Sequence, residues 1–541
     1  QFDKVIENAE RYLKYFSSKK DANDVAYKLT LQYRKKNDWR GVIRASGTFL
    51  KRRSDIPLHL RMAAMSNSAL SWSKLKGGDK KAQKLVDEVL NTAKKMNEEG
   101  SFKKLPQIGK DAVAQALFVN GELVFNQMQR VKVRARKLTD AVVLATKKAE
   151  LATKAGESYV EVENSKNAEW VAAAASRRGR AFHEIAITLE NLPPPPEFRK
   201  LDELKDQWYA KMSDRAAPYK VKAKERYEEA LKKSAEFFAF DKYWEQARDY
   251  LKELDPDFAT RATILEKTVG MSKVVWTLAK KPRKLIDDNR LALFGRQSAD
   301  LQVKMSDADR ATQQGQTART FSDMALAHHV QGEHRDALMV ASVGMSANNA
   351  PELAKDSKFL TMLGLSHLEL GNIRPALMLF KRAAAVDAKA LTPLLDSASV
   401  QFKYLDLEGA AKVLQEAVNR DPKHYWARAS LPVAQRRLGK PQEAMAMLDE
   451  VVADYPAQAD AHYNRCVIAQ AVLTGTRANV ERALKACNEA ADVAKKRSPE
   501  AKELRKRAQG LKDTLEFMDP AGTTPVPAPA EATPTAAAPT P

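Results

Sequence analysis

Apolar residues recur three and four positions apart along most of the chain. At the start, Val5, Ala9, Leu13 and Phe16 fall on one helical face with charged residues between them, so residues 2–16 read as the second helix of a hairpin. Residues 26–50 predict another helical hairpin turning at Asn37 and Asp38, and residues 58–97 a further one turning at Gly77 and Gly78. Longer helices are predicted over about 110–155, 158–191 and, in two or three pieces, 199–254, with the prolines at 193–196 as a stiff polyproline spacer. Residues 271–313 show neither a clean period nor strong caps and read as a linker with short helices. Leu504, Ala508, Leu511, Leu515 and Met518 then form one apolar stripe with charges opposite, the pattern of a terminal capping helix. Residues 519–541 are dominated by Pro, Ala and Thr and are expected to be disordered.

Between the linker and the capping stripe the pattern repeats. Gly364, Ala398, Pro432 and Cys466 are 34 residues apart, as are Ala376, Ala410 and Ala444, and Pro422 lies 34 before Pro456. Gly332, Gly371 and Gly439 each precede an Ala by five residues, and each of those Ala residues follows a small residue or Pro432 by twelve. The physical unit is a helical hairpin. A small residue in the first helix admits the second helix through its own Ala, Gly makes the turn, and Pro or a polar pair ends the second helix. One hairpin cannot bury its apolar face alone, so the units must stack.

This pattern resembles the tetratricopeptide repeat, whose period it shares. The best copy is residues 363–388, with Leu363, Gly364, Gly371, Ala376, Phe380 and Ala383 in the family's places, flanked by copies at 318–350, 391–424, 425–458 and 459–497. The resemblance implies a right-handed α-solenoid, all-α, whose first helices line a concave groove. Two departures stand out: Pro432 falls inside a predicted helix, where it removes a backbone donor, and the last unit carries five extra residues around Thr474 to Ala478. A looser resemblance covers residues 192–258, with the proline run, Ala216-Ala217-Pro218 before a long Tyr-rich helix, and Trp244 before a final hairpin helix. These features resemble a segment of envelope tetratricopeptide-repeat proteins tied to adventurous gliding motility in gliding bacteria, and imply a periplasmic scaffold role.

Composition supports the helical reading. Of 541 residues only 21 are Gly and 24 Pro, which excludes collagen-like and largely disordered chains, and two Cys exclude a disulfide-dense scaffold. No run of about 18 apolar residues suggests a membrane-spanning helix. The formal net charge of +21 draws such a chain to polyanions, although the charge is spread along the sequence and no nucleic-acid-binding motif accompanies it. The basic runs at 130–137 and 280–284 read first as wet helix face or linker. The chain begins with Gln1 rather than Met, which fits a removed targeting segment or an excerpt of a longer polypeptide.

Cys466 and Cys487 lie in the two helices of one predicted unit, equidistant from its turn, so a disulfide is geometrically reasonable; two buried free thiols are the other reading. A disulfide would place the chain in an oxidising compartment. His328, His329 and His334 cluster without a carboxylate or Cys at ligand spacing, so no metal site is expected. Phosphate-binding glycine loops, dinucleotide fingerprints and nucleophile elbows are missing, and acidic residues pair with Lys along exposed helix faces, as Glu228 does with Lys232. An enzyme and a cofactor are therefore not expected.

The expected organisation is N-terminal repeat-like hairpins (1–106), a long-helix middle region (107–262), a linker (263–315), five repeats plus cap (316–518) and a tail (519–541). The small-residue register assigns Arg319, His329, Lys358, Leu365, Leu368, Leu395, Phe402, Trp426, Arg436, Tyr463 and Gln470 to the groove. Apolar anchors rimmed by cations suit a partner helix or an extended peptide with acidic flanks. The expected function is a non-catalytic protein–protein interaction scaffold in a multi-protein complex of the periplasm or cell envelope, with the cytoplasm as the alternative location. A polyanion binder, of cell-wall polymer or nucleic acid, is the alternative function. Part of 271–313 filling the groove in cis is a further expectation.

Overall fold

The computed structural model describes residues 2–17, 19, 22–52, 56–133, 138–165, 167–263, 265–272, 318–346 and 350–518. The expected tail and nearly all of the expected linker lie outside these residues. The regular secondary structure among the described residues is helical, without a strand. The chain divides into two compact units, Gln1–Thr260 and Arg261–Pro541.

The first unit is a succession of helices, each packed against its neighbour in sequence: α1 (Phe2–Tyr15), α2 (Ala22–Lys35), α3 (Trp39–Arg52), α4 (Leu58–Ser73), α5 (Asp79–Glu98), α6 (Gln107–Arg130), α7 (Leu138–Asn164), α8 (Ala168–Glu190), α9 (Asp202–Phe237) and α10 (Lys242–Leu254). The turns fall where the sequence marks them, with Asn37 and Gly77 in the left-handed region at φ 57° and 78°. The helix expected over 110–155 is instead two, because Val131 leaves α6 in extended backbone, and α8 begins only at the Asn167 cap, whose side chain accepts from the Glu169 and Trp170 amides. At the core, Gly121 lets the Tyr159 ring in close; a Cβ there would lie 2.5 Å from Cε1. Beside it the buried Glu122 carboxylate takes Lys74 and Arg177, each at 2.7 Å, and the Tyr159 hydroxyl at 2.7 Å. Burial alone would raise the Glu122 pKa, but Arg177 and Lys74 overcome it and hold it down at about 2.

After the short α11 (Pro256–Ala262) and an extended stretch at 265–272, the second unit stacks five hairpins. They are α12 (Ala318–Val330) with α13 (His334–Ser346); after the one-turn α14 (Ala350–Leu353), α15 (Ser357–Glu369) with α16 (Ile373–Val386); α17 (Thr392–Lys403) with α18 (Leu407–Arg420); α19 (Tyr425–Arg437) with α20 (Pro441–Asp454); and α21 (Ala459–Val472) with α22 (Arg477–Val493). The insertion carrying α14 explains why Ala325 and Gly364 are 39 rather than 34 residues apart. Gly332, Gly371 and Gly439 turn their hairpins at φ 75°, 74° and 84°, and in the third hairpin Leu405 takes the same conformation at φ 56°. Gly364 shows why the register needs a small residue, since a Cβ there would meet the Phe380 ring at 2.4 Å. The α19 helix continues through Pro432. The extra residues of the fifth hairpin lengthen its turn and its second helix. Finally α23 (Pro499–Phe517) buries Leu504 and Ala508 on the last hairpin and leaves its charges exposed. The unit is an all-α solenoid of helical hairpins.

Candidate interaction groove

In each hairpin the small register residue faces the second helix. The residue two positions earlier lies about 200° around the first helix and so faces the other way, away from the second helix. In the third, fourth and fifth hairpins that position holds Asp396, Ser430 and Asn464, 34 residues apart and all buried. The structure brings these three side chains onto one strip of extended backbone, residues 265–272.

The contacts follow the order of the repeats in reverse. Asn464 bonds both main-chain polar groups of one residue, accepting from the Lys267 amide at 2.6 Å and donating Nδ2 to the Lys267 carbonyl at 2.7 Å. One hairpin earlier the Ser430 hydroxyl accepts from the Val269 amide at 2.9 Å. One further back, the Asp396 carboxylate accepts from the Ser272 amide and from the Ser272 hydroxyl, each at 2.7 Å. Two and three residues of extended chain span about 7 and 10 Å, which brackets the 8–10 Å spacing of packed helices. An extended chain can therefore meet one side chain per repeat.

Side chains of the strip fill the groove. Glu266 is wholly buried between the guanidiniums of Arg436 and Arg437, and Arg437 also donates to the Arg261 carbonyl at 2.6 Å. Val269 is buried in one apolar cluster with Ala398, Phe402, Leu431, Val433 and Ala434, and Leu395 and Trp426 pack against it. Lys267 places its ammonium 5.1 Å over the Tyr463 ring and 3.7 Å from Glu500. Burial pushes the Asp396 carboxyl up to about 6, against the pull of its two bonds from Ser272. Burial also lowers the Arg436 pKa, opposed by the Glu266 charge.

The predicted groove residues divide accordingly. Leu395, Phe402, Trp426, Arg436 and Tyr463 surround the strip. Tyr463 also donates to Glu503 at 3.1 Å, and Gln470 accepts from Arg507 at 2.8 Å, so both are tied to the capping helix. In the first two hairpins the structure leaves a different set. His329 is half-buried with Nδ1 2.8 Å from the Ser366 hydroxyl, and burial lowers its pKa. Leu365 is buried, Leu368 half-buried, and Lys358 exposed, none of them within the Val269 cluster. The side chain of Arg319 lies outside the described residues. Over the last three hairpins, then, the hollow expected to receive a partner holds the chain's own residues 265–272, of which only 271 and 272 fall within the stretch considered for filling it.

Sequence reasoning missed Asp396, Ser430, Asn464 and Arg437. The signal was there in the 34-residue spacing of buried polar positions, but three different residue types conceal it. It also missed that the turn of the first hairpin brings carboxylates to His328: its Nδ1 lies 2.7 Å from Glu333, and with Asp336 the ligand atoms fall within 4.8 Å of one another. Cys466 and Cys487 stand on α21 and α22 with sulfurs 2.04 Å apart and Cα atoms 4.5 Å apart. No helix among the described residues is long and apolar enough to cross a membrane.

The sequence matches no curated protein. Residues 402–466 match the family model of the tetratricopeptide repeat. Among solved structures, YrrB, described as a tetratricopeptide-repeat protein with an unusual peptide-binding site, is 18% identical over 38% of this chain and 97% of its own, with a TM-score of 0.30. The thermophilic repeat protein TTC0263 of Thermus thermophilus is 18% identical over 36% of this chain and 99% of its own, with a TM-score of 0.25. PilF of Pseudomonas aeruginosa is 12% identical over 37% and 90%, with a TM-score of 0.28. The stretch that matches the repeat model, residues 402–466, runs from the end of α17 into α21 and so lies within the stack of five helical hairpins.

Proposed function

We propose that the protein is a non-catalytic scaffold whose C-terminal array grips extended polypeptide along its concave face. Tetratricopeptide repeats serve protein–protein interaction, and one observation gives that general role a mode here: three side chains at the repeat interval bond the backbone of a single extended strip. Main-chain bonds supply affinity without regard to sequence, while the Arg436–Arg437 pair and the Val269 pocket supply selection. The array is to be tested by panning a random peptide-display library on the full chain carrying Glu266→Lys and Val269→Asp, which removes the resident side chains. Enrichment of any shared motif, lost again on Ser430→Leu, supports the reading; a library that emerges unenriched refutes it.

We place the scaffold in a bacterial envelope assembly. Supporting this are the adjacency of Cys466 and Cys487, which suits an oxidising compartment, and the likeness of residues 192–258 to repeat proteins of gliding bacteria. The charge of +21 favours contact with an acidic envelope polymer as the second reading, which requires binding that falls steeply with added salt.

A further inference from the structure

We infer that residues 265–272 are a resident pseudo-ligand, and that the array's external partner is an extended segment of the same chemistry that displaces them. The inference rests on the groove reading above and adds to it the identity of the ligand. That ligand carries a carboxylate, a β-branched apolar side chain three residues later and a hydroxyl three residues after that, and it runs from the fifth hairpin towards the third.

Each element of the motif answers a need of the groove. Arg437, with a side chain 2% exposed, and Arg436, 17% exposed, require an anion between them, and Glu266 supplies it. The hollow between Phe402, Leu431 and Val433 requires a compact apolar group, and Val269 fits it. Asp396 accepts both an amide and a hydroxyl from one residue, which Ser and Thr alone among the uncharged side chains provide in this geometry. The side chains between are under less demand: Lys267, Gly270 and Met271 are exposed and Thr268 is half-buried. A partner is therefore expected to be read at Glu-x-x-Val-x-x-Ser positions and to vary elsewhere. Because the resident strip is tethered to the array, it competes at a local concentration on the order of millimolar.

The test uses the full chain and a labelled synthetic peptide of residues 261–274, with binding followed by fluorescence anisotropy. The chain carrying Glu266→Lys and Val269→Asp binds the peptide at least tenfold more tightly than the unaltered chain, whose strip occupies the site. Peptides carrying either of those two substitutions bind the altered chain at least tenfold more weakly than the native peptide. Equal binding by both chains, or indifference to the peptide substitutions, overturns the inference. Since the altered chain must still fold, its helical circular dichroism and melting are compared with the unaltered chain. Independently, amide exchange in the unaltered chain must show Lys267, Val269 and Ser272 protected; rapid exchange at all three overturns the resident strip without reference to any variant. Library enrichment of an unrelated motif leaves the scaffold reading standing and removes this one, whereas no enrichment removes both.

Discussion

Replacing Glu266 by Gln separates two ways in which a buried charge can fail. The carboxylate is wholly buried against Arg436 and Arg437, and removing one partner from such a pair costs about 3–5 kcal/mol when the site cannot relax. Here it can relax, because the strip is able to leave. Five hydrogen bonds, two of them to the Asp396 carboxylate, are worth roughly 7 kcal/mol together. Burial of Val269 adds about 2 kcal/mol and the Glu266 pairs about 3 kcal/mol. Against this, ordering the backbone of the strip costs roughly 12 kcal/mol at 1–2 kcal/mol per residue. These opposing contributions nearly offset, so the strip is held by a margin of only about 2–3 kcal/mol, and loss of the Glu266 charge releases the strip before it unfolds the array. Hydrogen exchange with residue resolution reads this directly. In the unaltered chain the Lys267, Val269 and Ser272 amides are slow; in Glu266→Gln they exchange at the rate of free chain, while amides within α17, α19 and α21 keep their protection. Simultaneous loss of protection in those helices would refute the reasoning, as would a variant whose strip amides stay slow.

Four further outcomes follow from particular contacts. Asn464→Ala removes both main-chain bonds of Lys267 to the array and speeds exchange at Lys267 by about 30-fold, for about 2 kcal/mol; an unchanged rate contradicts the contact. Gly371→Ala lowers the stability of the second unit by about 1–2 kcal/mol through conformation alone, because open space surrounds its would-be Cβ, whereas Gly364→Ala acts through collision with the buried Phe380 ring and is rescued in part by Phe380→Leu; denaturant melts distinguish them. Glu122 has its pKa depressed from 4.5 to about 2, so its contribution of about 3 kcal/mol is present above pH 4.5 and is lost as the pH falls towards 2; the stability gap between the unaltered chain and Glu122→Gln should close over that window, and a gap independent of pH rejects the assignment. Thiol titration of the unfolded, unreduced chain should find no free thiol, and reduction should lower the stability of the second unit by about 3 kcal/mol for a loop closed over 21 residues; two titrating thiols would show the sulfurs unbonded.

The hairpins, their turns and the capping stripe were legible because each is a local device repeated at a fixed interval. Gly364, Gly371 and Ala376 announce the second hairpin by backbone and size requirements that few other residues meet. Leu405 shows the limit: the third turn adopts the same left-handed backbone without glycine, so the interval, not the residue, carried the signal. The break between α6 and α7 was not legible, since Val131 and Val133 continue the apolar spacing of a helix while the backbone is already extended. The occupant of the groove was hidden for a different reason. An extended strip bonded by its backbone needs no periodicity of its own, and only Glu266 and Val269 reveal it through burial.

On the proposed function, the composition of the inner register sets how long a segment the array holds by its backbone. The positions two before the small register residue are Asp323, Met362, Asp396, Ser430 and Asn464. Three consecutive members accept backbone hydrogen bonds well, and the fourth in that direction, Met362, is a fully buried thioether, at best a weak acceptor. A chain running from the fifth hairpin towards the first is thus held by its backbone for three repeats and loses that support at the second. At the first two hairpins the structure instead shows a His329–Ser366 contact at 2.8 Å and a half-buried Leu368, with no strong acceptor for main chain at the Met362 position. Reading by backbone over three repeats sets a footprint of about six to eight residues, the length of the strip from Glu266 to Ser272. Met362→Asn tests the step on synthetic peptides: three residues added after the Ser position should raise peptide affinity for the Met362→Asn chain and not for the unaltered chain, and equal gains in both would mean that the register does not govern the length of chain held.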